Sequence, residues 1–138
     1  MDKQKIEHYG DELYQAFVSR RAVAPLLTRE PEITIEDAYR IQERFVARRL
    51  AAGETIVGKK IGATSKPVQD FLGVYQPDFG MLTSAMVFQE GDTIDLGQLI
   101  QPKAEAELAF VLKHDLKGPG ITAMDVIRAT DYVVPCFE

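Results

Sequence analysis

The hydrophobic period of this chain changes at Gly53–Glu54, from long helical spacings to short strands with brief helices between them, which restricts it to an α+β fold that opens with helices. Before the change, Ile6, Tyr9, Leu13 and Phe17 recur at helical spacings in a polar stretch that ends near Arg21. A loop follows from Ala24 and Pro25 to Glu30 and Pro31. Thr34, with Asp37 three residues on, predicts a capping box opening a second helix. Ala38, Ile41, Phe45, Val46 and Leu50 supply its apolar side, and Gly53 suits its stop.

After the change the elements are shorter. Residues 55–62 (TIVGKKIG) predict a strand bracketed by glycines. Ser65 opens a brief helix through Leu72, with Pro67 in its first turn. Residues 73–80 (GVYQPDFG) carry the Gly and Pro punctuation of a loop, and residues 81–88 fit helix and strand equally. A turn at residues 90–92 precedes a predicted short strand at residues 93–96. Residues 104–112 (AEAELAFVL) alternate as a strand, with Glu105, Glu107, Ala109 and Val111 on one face. A turn at residues 117–120 leads to a helix with a second capping box, Thr122 and Asp125, running to about Thr130. Residues 132–138 begin a further strand. The pattern is α+β, with a helical region over residues 1–53 and a sheet-forming region over residues 54–138.

Composition narrows the function classes. The 138 residues suffice for one domain, with 46% apolar and 27% charged residues typical of a globular protein. A net charge of −5 and dispersed Lys and Arg argue against nucleic-acid binding. The apolar stretches fall far below the roughly 20 residues a membrane helix needs, and the first residues contain no apolar signal region. One cysteine, Cys136, excludes an internal disulfide, so a reducing cytoplasm is the expected compartment.

Glu105 and Glu107 are the first candidates for chemistry. In an extended strand, residues i and i+2 point the same way with Cα atoms about 7 Å apart. Two carboxylates so placed suit a hard divalent cation, which prefers oxygen ligands; a solvated edge strand is the alternative. Glu138 is a third carboxylate, which joins them only if its strand lies beside theirs. Lys59 and Lys60 fall on opposite faces, and one facing inward would bind an anion or transfer protons; two exposed lysines are the plainer reading. Asp78 either holds the turn with its own hydrogen bonds or serves a substrate loop as acid or base. His8 and His114 have no partner at ligand spacing, and Cys136 in its apolar run is expected to pack.

Together these segments resemble the 2-oxopent-4-enoate (2-hydroxypenta-2,4-dienoate) hydratases of the hydratase/decarboxylase family, within the fumarylacetoacetate hydrolase superfamily. The resemblance runs along essentially the whole chain: GDELYQAF, EDAYRIQ, RRLAAGE, VGKKIGATSKPVQDFLGVYQPDFGML, LIQPKAEAELAFVL, DLKGPGIT and VPCFE. It implies that Glu105 and Glu107 of the E-x-E strand and Glu138 of PCFE are metal ligands for Mg²⁺ or Mn²⁺. It implies that Lys60 and Asp78 handle protons and substrate charge in the pocket. The expected reaction adds water to a small 2-hydroxy-dienoic acid to give 4-hydroxy-2-oxopentanoate, in aromatic meta-cleavage catabolism. A homo-oligomer, and association with a 4-oxalocrotonate decarboxylase, are the expected partners.

Family members continue well past PCFE, so the resemblance makes this chain the N-terminal portion of a mixed, barrel-like sheet that stays incomplete. Exposed edges and unburied apolar faces should result, and the chain alone is expected to be inactive or poorly folded. Two alternatives stand beside the hydratase: the 4-oxalocrotonate decarboxylase of the same family, which the QPDFG and KKIG segments resemble less, and an inactive truncated copy acting as an assembly partner.

Overall fold

The computed structural model describes all 138 residues. They form two compact units, Met1–Ile100 and Gln101–Glu138. The first unit holds both long helices and the first hairpin, so the division expected at Gly53 is a change of secondary structure inside one unit. No helix is long and apolar enough to cross a membrane.

In the first unit, α1 (Lys3–Ser19) and α3 (Ile35–Ala51) supply the core. Asp2 caps α1 by accepting from the Lys5 amide at 2.8 Å, and Arg20 ends it in the left-handed region at φ 58°. The predicted capping box opens α3: Thr34 Oγ1 accepts from the Asp37 amide while the Asp37 carboxylate accepts from the Thr34 amide. Ile6, Tyr9 and Ile41 form the buried centre, with Met1, Leu13, Leu26 and Ile33 packed around them. The helices approach closely at Gly10, where a Cβ would lie 2.4 Å from Arg44 Cγ and 3.0 Å from the Ile41 carbonyl oxygen. Only glycine permits that approach. The connecting segment, expected as loop throughout, contains a single turn of helix, α2 (Leu26–Arg29).

A second anchor lies where α3 meets the hairpin. Arg49, 2% exposed, donates from Nε and Nη2 to the Glu54 carboxylate at 2.8–3.1 Å, and its guanidinium lies over the Phe17 ring. Burial alone would raise the Glu54 carboxyl, but the Arg49 hydrogen bonds and charge hold it below the usual carboxylate range.

The hairpin pairs β1 (Ile56–Gly62) antiparallel with β2 (Asp78–Thr83), with α4 (Lys66–Leu72) in the connection. Ser65 stands at the cap of α4 as expected, although its side chain makes no capping bond. Two expectations are corrected here. The predicted loop over residues 73–80 ends early, because β2 begins at Asp78 and places that residue in the ladder. The predicted strand at residues 93–96 does not form. Asp95 accepts from the Gly97 amide at 2.9 Å and bends the chain into a short 3-10 turn (Leu96–Gln98), a local bond that outcompetes pairing.

In the second unit, β3 (Ala106–Leu112) pairs antiparallel with β4 (Thr130–Phe137), joined through α5 (Ala123–Ala129). The Thr122–Asp125 capping box opens α5 as predicted. Pro135 faces Leu108 at a position where the ladder alternation calls for no amide, so β4 tolerates it. Both sheets are two-stranded. The expected exposed apolar faces are present, with Leu108, Phe110 and Phe137 at 64, 55 and 83% exposure.

Candidate functional site

In the first hairpin, the register sets Lys60 opposite Gly80 and Gly62 opposite Asp78. Gly58, Lys60 and Gly62 therefore share one face with Asp78, Gly80 and Leu82, and Lys59 lies exposed on the other. Lys60 and Asp78 are diagonal neighbours, about 7–8 Å apart by strand geometry. Glycine decides how their side chains lie. A Cβ on Gly80 would sit 3.3 Å from Lys60 Cγ, so the lysine stem runs across Gly80. A Cβ on Gly62 would sit 2.5 Å from Asp78 Oδ1, so the carboxylate folds over Gly62. Each polar side chain occupies the space that a glycine on the facing strand leaves open. Lys60 is half-buried and Asp78 exposed.

Sequence reading singled out Lys60 and Asp78 but took Gly62 and Gly80 as punctuation. The signal available was their two-residue offset from a candidate: Gly62 from Lys60 on β1, Gly80 from Asp78 on β2. Alternation puts such pairs on one face.

In the second unit the ladder continues past the ends of the strands. The Glu105 amide donates to the Glu138 carbonyl at 2.8 Å, and the Glu138 amide donates to the Glu105 carbonyl at 2.9 Å. This is a closely hydrogen-bonded antiparallel pair, with Cα atoms about 5.5 Å apart. Glu107, two residues along, faces Cys136. Glu105, Glu107, Cys136 and Glu138 thus form a two-by-two patch on one face of the ribbon, all of them exposed. The proximity of the two strands that the sequence left open is therefore present at the level of the backbone. The carboxylate side chains as they stand do not gather into a cluster able to hold a metal ion.

Cys136 does not pack as expected; it is exposed, because this face of the two-stranded ribbon is open at the Glu107–Cys136 position. His8 lies on α1 with its ring 5.2 Å from that of Tyr9, and His114 is exposed in the loop after β3.

No protein-family model matches the chain. It is 58% identical, over its whole length, to a 2-hydroxypent-2,4-dienoate hydratase of Pseudomonas putida and spans 63% of that protein. It is 55% identical, over 99% of its length, to a 2-hydroxyhexa-2,4-dienoate hydratase of Comamonas testosteroni and spans 53% of it. Two solved structures of the 4-oxalocrotonate decarboxylase from Pseudomonas putida G7 match the whole chain at 34% identity. The one complexed with magnesium and adipate gives a TM-score of 0.93, the one with calcium and acetate 0.94. The chain spans 52% and 53% of those decarboxylase chains.

Proposed function

From the premise that this chain belongs to the hydratase/decarboxylase family of these relatives, we propose that the protein carrying it is a divalent-metal-dependent hydratase of a small 2-hydroxy-dienoic acid. The observation that carries the reading is the Glu105–Glu138 ladder pair, which brings a third carboxylate onto the face of Glu105 and Glu107. The side-chain donors are all oxygen, the ligand type a hard cation prefers, and the backbone ladder sets the three residues on one face of the ribbon. Like charges directly opposed on a ribbon are destabilising, and a bound ion would offset that. Glu105, Glu107 and Glu138 would hold it. Mg²⁺ or Mn²⁺ bound there would supply Lewis-acid stabilisation of negative charge on the substrate's 2-oxygen.

The other steps fall to Lys60 and Asp78. Converting 2-hydroxypenta-2,4-dienoate to 4-hydroxy-2-oxopentanoate moves the 2-hydroxyl proton to C5, then adds the hydroxyl of water at C4 and a proton at C3. The sequence needs one group that presents protons and one that accepts them. The Lys60 ammonium has three donors and also suits the substrate carboxylate. The Asp78 carboxylate accepts a proton from water. Their common face on the first hairpin supports assigning them as a pair.

The test is Glu107→Ala in the full-length protein: metal-dependent turnover should vanish, and near-normal hydration would remove the metal assignment. A second reading, decarboxylation, has the likeness to the decarboxylase structures in its favour. The higher identity to the hydratases, 58% and 55% against 34%, favours hydration. Release of CO₂ from 2-oxohex-3-enedioate, measured against hydration of the dienoate, separates the two. We place the protein in the cytoplasm, on its single free cysteine, as a homo-oligomer that associates with a decarboxylase of its family.

A further inference from the structure

Asp78 is the first residue of β2, and the Gly- and Pro-punctuated segment that precedes it offers no ladder to hold it. Strand ends are where a two-stranded ribbon loosens first. What steadies this end comes from α3. The ring of Tyr39 stacks on the ring of Phe79 with centroids 4.4 Å apart and planes 15° from parallel. One helical turn on, Gln42 Nε2 donates to the Phe79 carbonyl at 3.2 Å. One residue, adjacent to Asp78, is thus held at its side chain and at its backbone by two residues of one helix face. Around these contacts the α3–hairpin boundary is not closely packed: an apolar cavity of about 240 Å³ is lined there by Val46, Leu50, Ile56 and Met81. The same amide lies beside the Lys60–Asp78 face, because a Cβ on Gly80 would be 3.9 Å from Gln42 Nε2.

We propose that Tyr39 and Gln42 are positioning residues for Asp78: acting through Phe79, they fix the strand end from which the carboxylate reaches over Gly62. The inference rests on the role given to Asp78 under the proposed function. Neither contact is a large stabilising term, since the hydrogen bond is solvent-exposed and Phe79 is 47% exposed. Losing either should displace the carboxylate without unfolding the unit.

The experiment compares Gln42→Leu, Tyr39→Leu and Tyr39→Phe in the full-length protein. Both leucine variants should lose about tenfold to a hundredfold in kcat, the scale of an ångström-sized misplacement. Their KM, their affinity for the unreactive probe 2-oxopentanoate and their unfolding midpoints should stay near wild type. Tyr39→Phe, which keeps the ring, should restore kcat, and amide exchange over residues 78–81 should speed up only in the leucine variants. Unchanged kcat in both leucine variants overturns the inference, as does a loss shared by Tyr39→Phe. Asp78→Asn tells the two layers apart. If it alone is impaired, only the positioning role falls; if it turns over normally, the role of Asp78 under the proposed function falls and takes the positioning role with it.

Discussion

Gly10→Ala replaces the poorest ordinary helix former with the best at a position inside a 17-residue helix, and on propensity alone should stabilise. The structure reverses that sign. The new Cβ would lie 2.4 Å from Arg44 Cγ, 2.5 Å from Arg44 Cβ and 3.0 Å from the Ile41 carbonyl oxygen. Carbon atoms rest about 3.5–4.0 Å apart, so α1 and α3 must separate by more than about 1 Å at their crossing. Arg44 cannot simply swing aside, because its Cβ is fixed to the helix and its guanidinium grips Asp11 with bonds of 2.7 and 2.8 Å. Separation loosens the contacts among Ile6, Tyr9 and Ile41. Overpacking of this kind costs about 3 kcal/mol at the upper end of its usual range, and the propensity gain returns about 1 kcal/mol. The net loss is roughly 2 kcal/mol. Denaturant titration followed by circular dichroism measures it, and a midpoint equal to or above wild type would refute the close-approach argument.

Three further outcomes follow from the same geometry. Gly62→Ala puts a methyl 2.5 Å from Asp78 Oδ1; it should cut the proposed hydratase turnover of the full-length protein by about tenfold or more while β1–β2 pairing, read by amide exchange, persists. Arg49→Met leaves the Glu54 carboxylate without its partner at a largely buried site, and denaturation should register a loss of about 2–3 kcal/mol, below the full range for a wholly buried pair. The carboxyls of Asp11, Glu54 and Asp37 are held below their usual range, Asp11 by Arg44, Glu54 against burial by Arg49, and Asp37 by the Met1 ammonium and Thr34. Groups depressed in the folded state stabilise it above their unfolded pKa and lose that contribution as acid titrates the folded one. Stability should therefore be flat near neutrality and fall as pH drops below about 4; a midpoint that rises there would contradict these pairings.

Much of the chain was readable from local pattern because local bonds decide it. The capping boxes at Thr34 and Thr122 lie within one helical turn, so residues three apart suffice to find them. The alternation of residues 104–112 placed Glu105 and Glu107 on one face before any partner strand was known. Asp78 looked like part of a loop because Pro77 and Gly80 punctuate its surroundings. Gly80 lies in the strand, paired with Lys60, whose stem crosses the room its missing side chain leaves. Residues 93–96 have strand composition, but the Asp95 side chain closes a bond two residues on and no neighbouring strand competes for the backbone.

By itself the sequence determined the order of helices and strands, the residue types able to hold a hard cation or move protons, and the family resemblance. Which residues stand opposite one another was decided only by the tertiary structure. Glu138 against Glu105, Asp78 against Gly62 and Phe79 beneath Tyr39 are pairings between distant segments. The first two follow from strand register, where a slip of one residue would send every side chain to the opposite face, and the third from the packing of α3 on the hairpin. Local propensity carries no term for that register, which is set when the two strands meet.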